Sequence, residues 1–114
     1  MSKEVIENFE IDDNLEKAFQ KLKLIAISLE SIGFTIEQKR ISKYSLKEWG
    51  NSGFPISEDS KMIINIFYDK KLGIRVAIKE KNKSEIAHNY SILRKMEIEE
   101  GFRDNGIYDL LIND

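Results

Sequence analysis

The residues able to do chemistry are few and scattered. His88 is the only histidine in the 114-residue chain, and there is no cysteine. A histidine acts as a base or a metal ligand when a carboxylate orients it or further ligands converge on it. His88 falls between the apolar stripe and the polar face of a helical stretch, with no carboxylate cluster around it. Asp12 and Asp13, and Glu97, Glu99 and Glu100, lie in charge runs that read as solvated faces, so no pair stands out as a general acid and base. Asp69 and Glu80, near opposite ends of two strand-like runs, invite comparison with a nuclease metal site. Such sites carry an acid-x-Lys element, whereas Glu80 is followed by Lys81 and Asn82. The chain contains no P-loop, no Gly-x-Gly-x-x-Gly and no Gly-x-Ser-x-Gly. No catalytic residue, metal or cofactor is expected.

Recognition chemistry is better represented. Residues 42–60 carry Tyr44, Trp49, Phe54 and Pro55, of which Trp49 is the only Trp and Pro55 the only Pro of the chain. Trp and Tyr dominate binding hot spots. The reading for these aromatics is an interaction loop, set against the alternative that Trp49 and Phe54 cover the core. Ser45-Leu46-Lys47-Glu48 has capping-box spacing, which fits one short helical turn ending at Gly50.

The element that must position the rest is Lys61 to Lys81, the strongest β signal. Two β-branched and aromatic runs flank Asp69-Lys70-Lys71-Leu72-Gly73, a hairpin turn opened by an Asp acceptor and closed by Gly. Ile74, Val76 and Ile78 alternate with Arg75, Ala77 and Lys79. Pairing Ile66 with Val76 and Ile64 with Ile78 sets the apolar residues on one face; a one-residue slip would not. That register leaves Ile63, Phe67, Arg75 and Lys79 on the outer face, available to a partner or covered by another part of the chain.

Helical spacing of Leu15, Ala18, Phe19, Leu22, Ile25, Ala26, Leu29 and Ile32 predicts a helix capped at Asp12 or Asp13 and stopped at Gly33. Leu24 and Ile27 stand outside its apolar face. Phe34 to Ile41 reads as a strand. After the hairpin, Ser84 caps a second helix with Ile86, Tyr90, Leu93 and Met96 as its apolar stripe and Gly101 as its stop. Arg103-Asp104-Asn105-Gly106 reads as a turn, and Ile107 to Ile112 as a last apolar element. The expected fold is α+β, a small antiparallel sheet in the order α-β-β-β-α plus a short C-terminal element, with both helices packed on one face. Length fits a single domain, 1–114.

Net charge is −2, unevenly placed. Residues 1–16 hold one Lys against six acids, residues 97–114 one Arg against six acids, and residues 61–83 seven cations against two acids. The acidic ends either neutralise the basic hairpin or leave it as a surface for an anionic partner. The acidic N-terminus is unlike a signal peptide, and no apolar run is long enough to span a bilayer, so a cytoplasmic protein without membrane attachment is expected. Lysine outnumbers arginine and isoleucine is the commonest apolar residue, a usage of AT-rich coding sequences and hence of low-GC bacteria or their phages.

The order helix–three strands–helix resembles in topology that of double-stranded-RNA-binding domains. Gly53-Phe54-Pro55 and Lys81/Lys83 lie where such domains place phosphate-binding groups. The lysine- and alanine-rich start of their second helix is absent; here it reads Ser84-Glu85-Ile86-Ala87-His88-Asn89-Tyr90. The functional expectation is a non-catalytic protein-binding module, of the kind seen in bacterial or phage inhibitors, immunity proteins and regulators. Its partner is another protein or a second copy, through Tyr44, Trp49, Phe54, Ile63, Phe67, Arg75 and Lys79. The alternative is nucleic-acid binding by the basic hairpin, with Phe67, Arg75 and Lys79 as a stacking and phosphate platform.

Overall fold

The computed structural model describes residues 13–104. The expected elements at 1–11 and 107–112 lie outside them. Helix α1 spans Asp13–Ser31 and buries Leu15, Ala18, Leu22, Ile25, Ala26 and Leu29, the stripe its spacing predicts. Lys21 and Ser28 are also buried, although neither belongs to the apolar stripe. Burial, and then the neighbouring Lys17 charge, lower the pKa of the Lys21 ammonium.

A three-stranded antiparallel sheet follows in the order β1-β2-β3, with β1 at Phe54–Glu58, β2 at Met62–Asp69 and β3 at Gly73–Glu80. The hairpin register is the one that matches the apolar faces: Ile64 opposite Ile78 and Ile66 opposite Val76. Met62, Ile64, Ile66 and Tyr68 are buried on the face toward the helices, while Ile63, Asn65 and Phe67 are half-buried on the other. The fold is thus α+β with a three-stranded antiparallel sheet, the helices packing against it.

The first strand is not the expected one. Phe34 to Ile41 is an extended segment that closes into a 3-10 turn at Gln38–Arg40. Phe34 and Ile36 do face inward and Thr35 and Glu37 outward, so the alternation holds. The segment is tied to the edge of β1 by the Glu37 N–H donating to the Ile56 carbonyl (2.8 Å) and the Ser57 hydroxyl donating to the Thr35 carbonyl (2.8 Å). Pro55 offers no N–H to continue a ladder, and a bulge between Pro55 and Ser57 breaks the strand's regularity. Strand β1 comes instead from the stretch read as a long loop. That stretch also holds helix α2, Lys43–Trp49, which ends at Gly50 as its sequence suggests. Its cap is Ser42 and not the expected Ser45, which lies inside the helix: the Ser42 hydroxyl oxygen accepts the Ser45 N–H at 3.0 Å.

Helix α3, Glu85–Asp104, begins as read: the Ser84 hydroxyl oxygen accepts the Ala87 N–H at 3.1 Å. It does not stop at Gly101, which lies inside it. A Cβ at Gly101 would come within 3.3 Å of the Ser28 hydroxyl, so this residue is where α3 and α1 approach closely. The expected stripe is not the buried one either. Ala87, Ser91, Ile98 and Phe102 face the protein, while Ile86, Leu93 and Met96 face solvent.

Two contacts fix that rotation. The Tyr90 hydroxyl donates to the Asp59 carboxylate at 2.7 Å, and the Arg94 guanidinium lies 4.1 Å from the centre of the Phe34 ring. Burial works to raise the Asp59 carboxyl. The Lys61 N–H, the Tyr90 hydroxyl, the Met62 N–H and the Lys61 charge outweigh it and hold the group below its ordinary value. A carboxyl lowered in the folded state adds stability above its unfolded value, lost as pH falls through the folded one. The urea midpoint should therefore drop as pH goes below about 4, the ordinary carboxylate range, and Asp59→Asn should flatten part of that drop. Tyr90→Phe should cost about 1 kcal/mol at neutral pH in the same titration.

Candidate binding surface around Trp49 and Phe67

Helix α2 is a small, firmly seated platform. Leu46 plugs it into the core, and the Tyr68 N–H donates to the Gly50 carbonyl at 2.9 Å. The Lys43 ammonium reaches Glu16 on α1 at 2.6 Å. Hydrogen bonds from Lys43 and Gln20 hold the Glu16 carboxyl below its ordinary value against a smaller opposing effect of burial. Gly50 has ordinary helical dihedrals, but a Cβ there would lie 2.8 Å from the Tyr68 carbonyl oxygen and 2.9 Å from its Cβ. Gly50→Ala should therefore cost about 2 kcal/mol by overpacking, read as a lower thermal midpoint.

From this platform Tyr44 and Trp49 stand out at 56% and 52% exposure. With Lys39, Arg40, Ser45 and Phe54 they line a cleft of about 210 Å³. Arg40 is oriented by donating to the Pro55 carbonyl at 3.3 Å. Phe54 is different in kind: at 2% exposure it is a core residue, paired with Ile66 on β2. It contributes the floor of the cleft and is not displayed as the sequence reading expected.

The outer sheet face adjoins this cleft through Gly53. The Gly53 N–H donates to the Trp49 carbonyl at 2.8 Å, and a Cβ on Gly53 would fall 2.5 Å from the Phe67 ring. With φ at +89°, that position favours glycine for its backbone as well. The Phe67 ring lies between Gly53 and the Arg75 guanidinium, 5.5 Å from its centre. Phe67 and Arg75 thus adjoin each other beside Gly53 on the outer sheet face, while Tyr44 and Trp49 line the cleft floored by Phe54. Ile63 and Lys79, paired across the hairpin, lie four residues further along, about 13 Å away.

Part of the basic hairpin's charge is engaged. Arg75 pairs with Asp69 at 3.5 Å and Lys81 with Glu58 at 2.6 Å, while Lys61 sits over the Tyr90 ring at 4.7 Å. The anions that meet Arg75 and Lys81 are on the strands themselves; of the acids at the two ends of the chain, half lie outside the described residues. Asp69 spends one oxygen on the N–H groups of Lys71 and Leu72, and Glu80 lies 3.6 Å from His88. Gly73, opposite Asp69, and Glu80 are seven residues apart on β3, roughly 23 Å, so the two carboxylates cannot share an ion. Among the described residues no helix is long and apolar enough to cross a membrane.

Comparison with protein families, with curated proteins and with solved structures finds no match to this chain. Sequence reasoning missed Lys39 and Arg40 as neighbours of Trp49, because it placed them at the end of a strand. It also missed the exposed stripe of α3, because it assigned those residues to the core.

Proposed function

We propose that the chain is a non-catalytic protein-binding module that masks a surface of another protein, as an inhibitor or immunity-type regulator does. The carrying observation is the display of Trp49 and Tyr44 beside Arg40 on a helix held at both ends. Trp, Tyr and Arg are the residue types in which binding energy concentrates. A platform fixed by the Ser42 cap, the Glu16–Lys43 pair and the Gly50–Tyr68 bond presents them with little left to order on binding. The cations Lys39 and Arg40 at the rim favour a partner with acidic groups around an apolar contact.

Affinity capture from the source cells, with nuclease added, tests this reading. Wild-type bait should retain a stoichiometric protein that Trp49→Ala bait does not. Retention of nucleic acid alone, lost on nuclease treatment and weakened steeply by salt, would replace it with the nucleic-acid reading.

A further inference from the structure

The turn end of the hairpin borders a trough walled by lysines. Two cavities of about 230 and 190 Å³ open there and share Tyr68 and Lys70 in their walls. The first reaches Lys47 on α2, and the second reaches Lys17 on α1 and Lys71 in the turn. All four lysines are exposed. Asp69 is the one carboxylate in these walls among the described residues, and its charge is engaged. One of its oxygens accepts the Lys71 and Leu72 N–H groups, and the other lies 3.5 Å from Arg75. Of the acids on the flanking helices, Glu16 is bound by Lys43, and Asp13 and Glu48 lie outside the walls. The trough is therefore net positive, with an apolar part from Leu15 and Leu46.

We propose that this trough is the docking site of the chain's own residues 1–12, an acidic strap that closes the turn end of the hairpin to other anions. Charge and chemistry select the occupant. Residues 1–12 carry Glu4, Glu7, Glu10 and Asp12 against Lys3, interleaved with Val5, Ile6, Phe9 and Ile11. They offer carboxylates to the lysines and apolar side chains to Leu15 and Leu46. Attachment selects it as well. The segment joins α1 at Asp13, next to Asn14, which is itself in the wall. Six extended residues reach about 20 Å, so Glu7 to Asp12 need no long connection to lie along the trough. So short a tether gives an effective concentration of millimolar order, which favours the segment over a separate molecule. The other end of the chain is less suited. Residues 105–114 bring only Asp109 and Asp114, and they leave from α3 near Gly101. Gly101 lies beside Ser28, about 21 Å along α1 from Asn14. The trough shares no wall residue with the Trp49 cleft and does not depend on the function proposed for it.

The chain has no cysteine, so Ser2→Cys gives the full-length protein a single site for a nitroxide label. In dilute solution the amide signals of Asn51 and Lys71 should lose most of their intensity to the label, while those of Ile86 to Met96 keep theirs. Lys47→Glu with Lys70→Glu should restore the Asn51 and Lys71 signals. Adding Glu7→Lys and Glu10→Lys to that variant should bring the loss back. Both lysines are exposed, and an unchanged circular dichroism spectrum confirms that the fold is kept. A loss spread evenly over the molecule overturns the inference, as does one that the lysine reversals leave unchanged. So does a loss at Asn51 and Lys71 of an unlabelled copy mixed with the labelled chain, which would make a second copy the occupant. The same loss from a label at Asn113→Cys would assign the trough to the C-terminal segment and overturn it too.

Discussion

Ile66→Ala should lower the unfolding free energy by about 3 kcal/mol, whereas Ile86→Ala should change it by less than about 0.5 kcal/mol. Both are isoleucines in strongly patterned apolar stretches, and the sequence treats them alike. Ile66 is fully buried in the central strand between Phe54 on β1 and Val76 on β3. Truncating it loses the burial of its removed atoms and leaves a cavity that neighbours on both sides cannot collapse into. Ile86 sits on the solvent side of α3, where truncation removes little that is buried. Urea titration of the two variants at low protein concentration reads the difference directly. Equal losses would mean that α3 is rotated from the orientation that Tyr90 and Arg94 impose.

Trp49→Ala should cost partner binding about 2 kcal/mol or more, roughly 30-fold in affinity, while changing stability by less than about 1 kcal/mol. The asymmetry follows from where the side chain stands. Half of the indole is already in water in the free protein, so the fold loses little when it is removed. On binding, its exposed face would leave water against an apolar contact, within a rim of Lys39 and Arg40 that excludes solvent. Phe67 offers a less clean test. Its ring fills the space beside Gly53, and replacing it disturbs the outer sheet face as well as any contact made there.

Where hydrophobic period and turn chemistry agreed, the fold was legible. The hairpin register followed from one requirement, that Ile64 and Ile66 meet Ile78 and Val76. Helix α1 followed from its stripe, and the cap of α3 from Ser84. The first strand was not legible, because Phe34–Glu37 alternates as well as any strand. What decides against it is a bulge and a proline on the edge it would have to join, and these sit some twenty residues away. The rotation of α3 was hidden for a related reason. Its buried face is built partly from Ala87 and Ser91, with Gly101 at the close approach to α1. Small residues allow helices to approach but leave almost no mark in hydropathy. The larger Ile86, Leu93 and Met96 therefore pointed to the wrong face.

The same trade-off shaped the candidate surface. Tyr44, Trp49, Phe67 and Arg75 were recognisable by type and by register. Arg40 joins them only because the chain turns at Gln38–Arg40 and donates to Pro55 instead of running on as a strand. Phe54 resembled Trp49 in composition and context, yet the two part company at Gly53. Beyond that residue the chain enters the sheet, and the next ring goes into the core.

Trp49 is the only tryptophan in the chain, so the central claim has a built-in reporter. The decisive measurement is its fluorescence, with an aqueous quencher present, as the captured protein partner in a tryptophan-free form is titrated in. The account predicts a blue shift and loss of quenching that saturate at a stoichiometric ratio, showing the indole withdrawn from water at the contact. Saturable binding with an emission maximum and quenching unchanged from the free protein would contradict it, and would remove the Trp49 cleft from the interface.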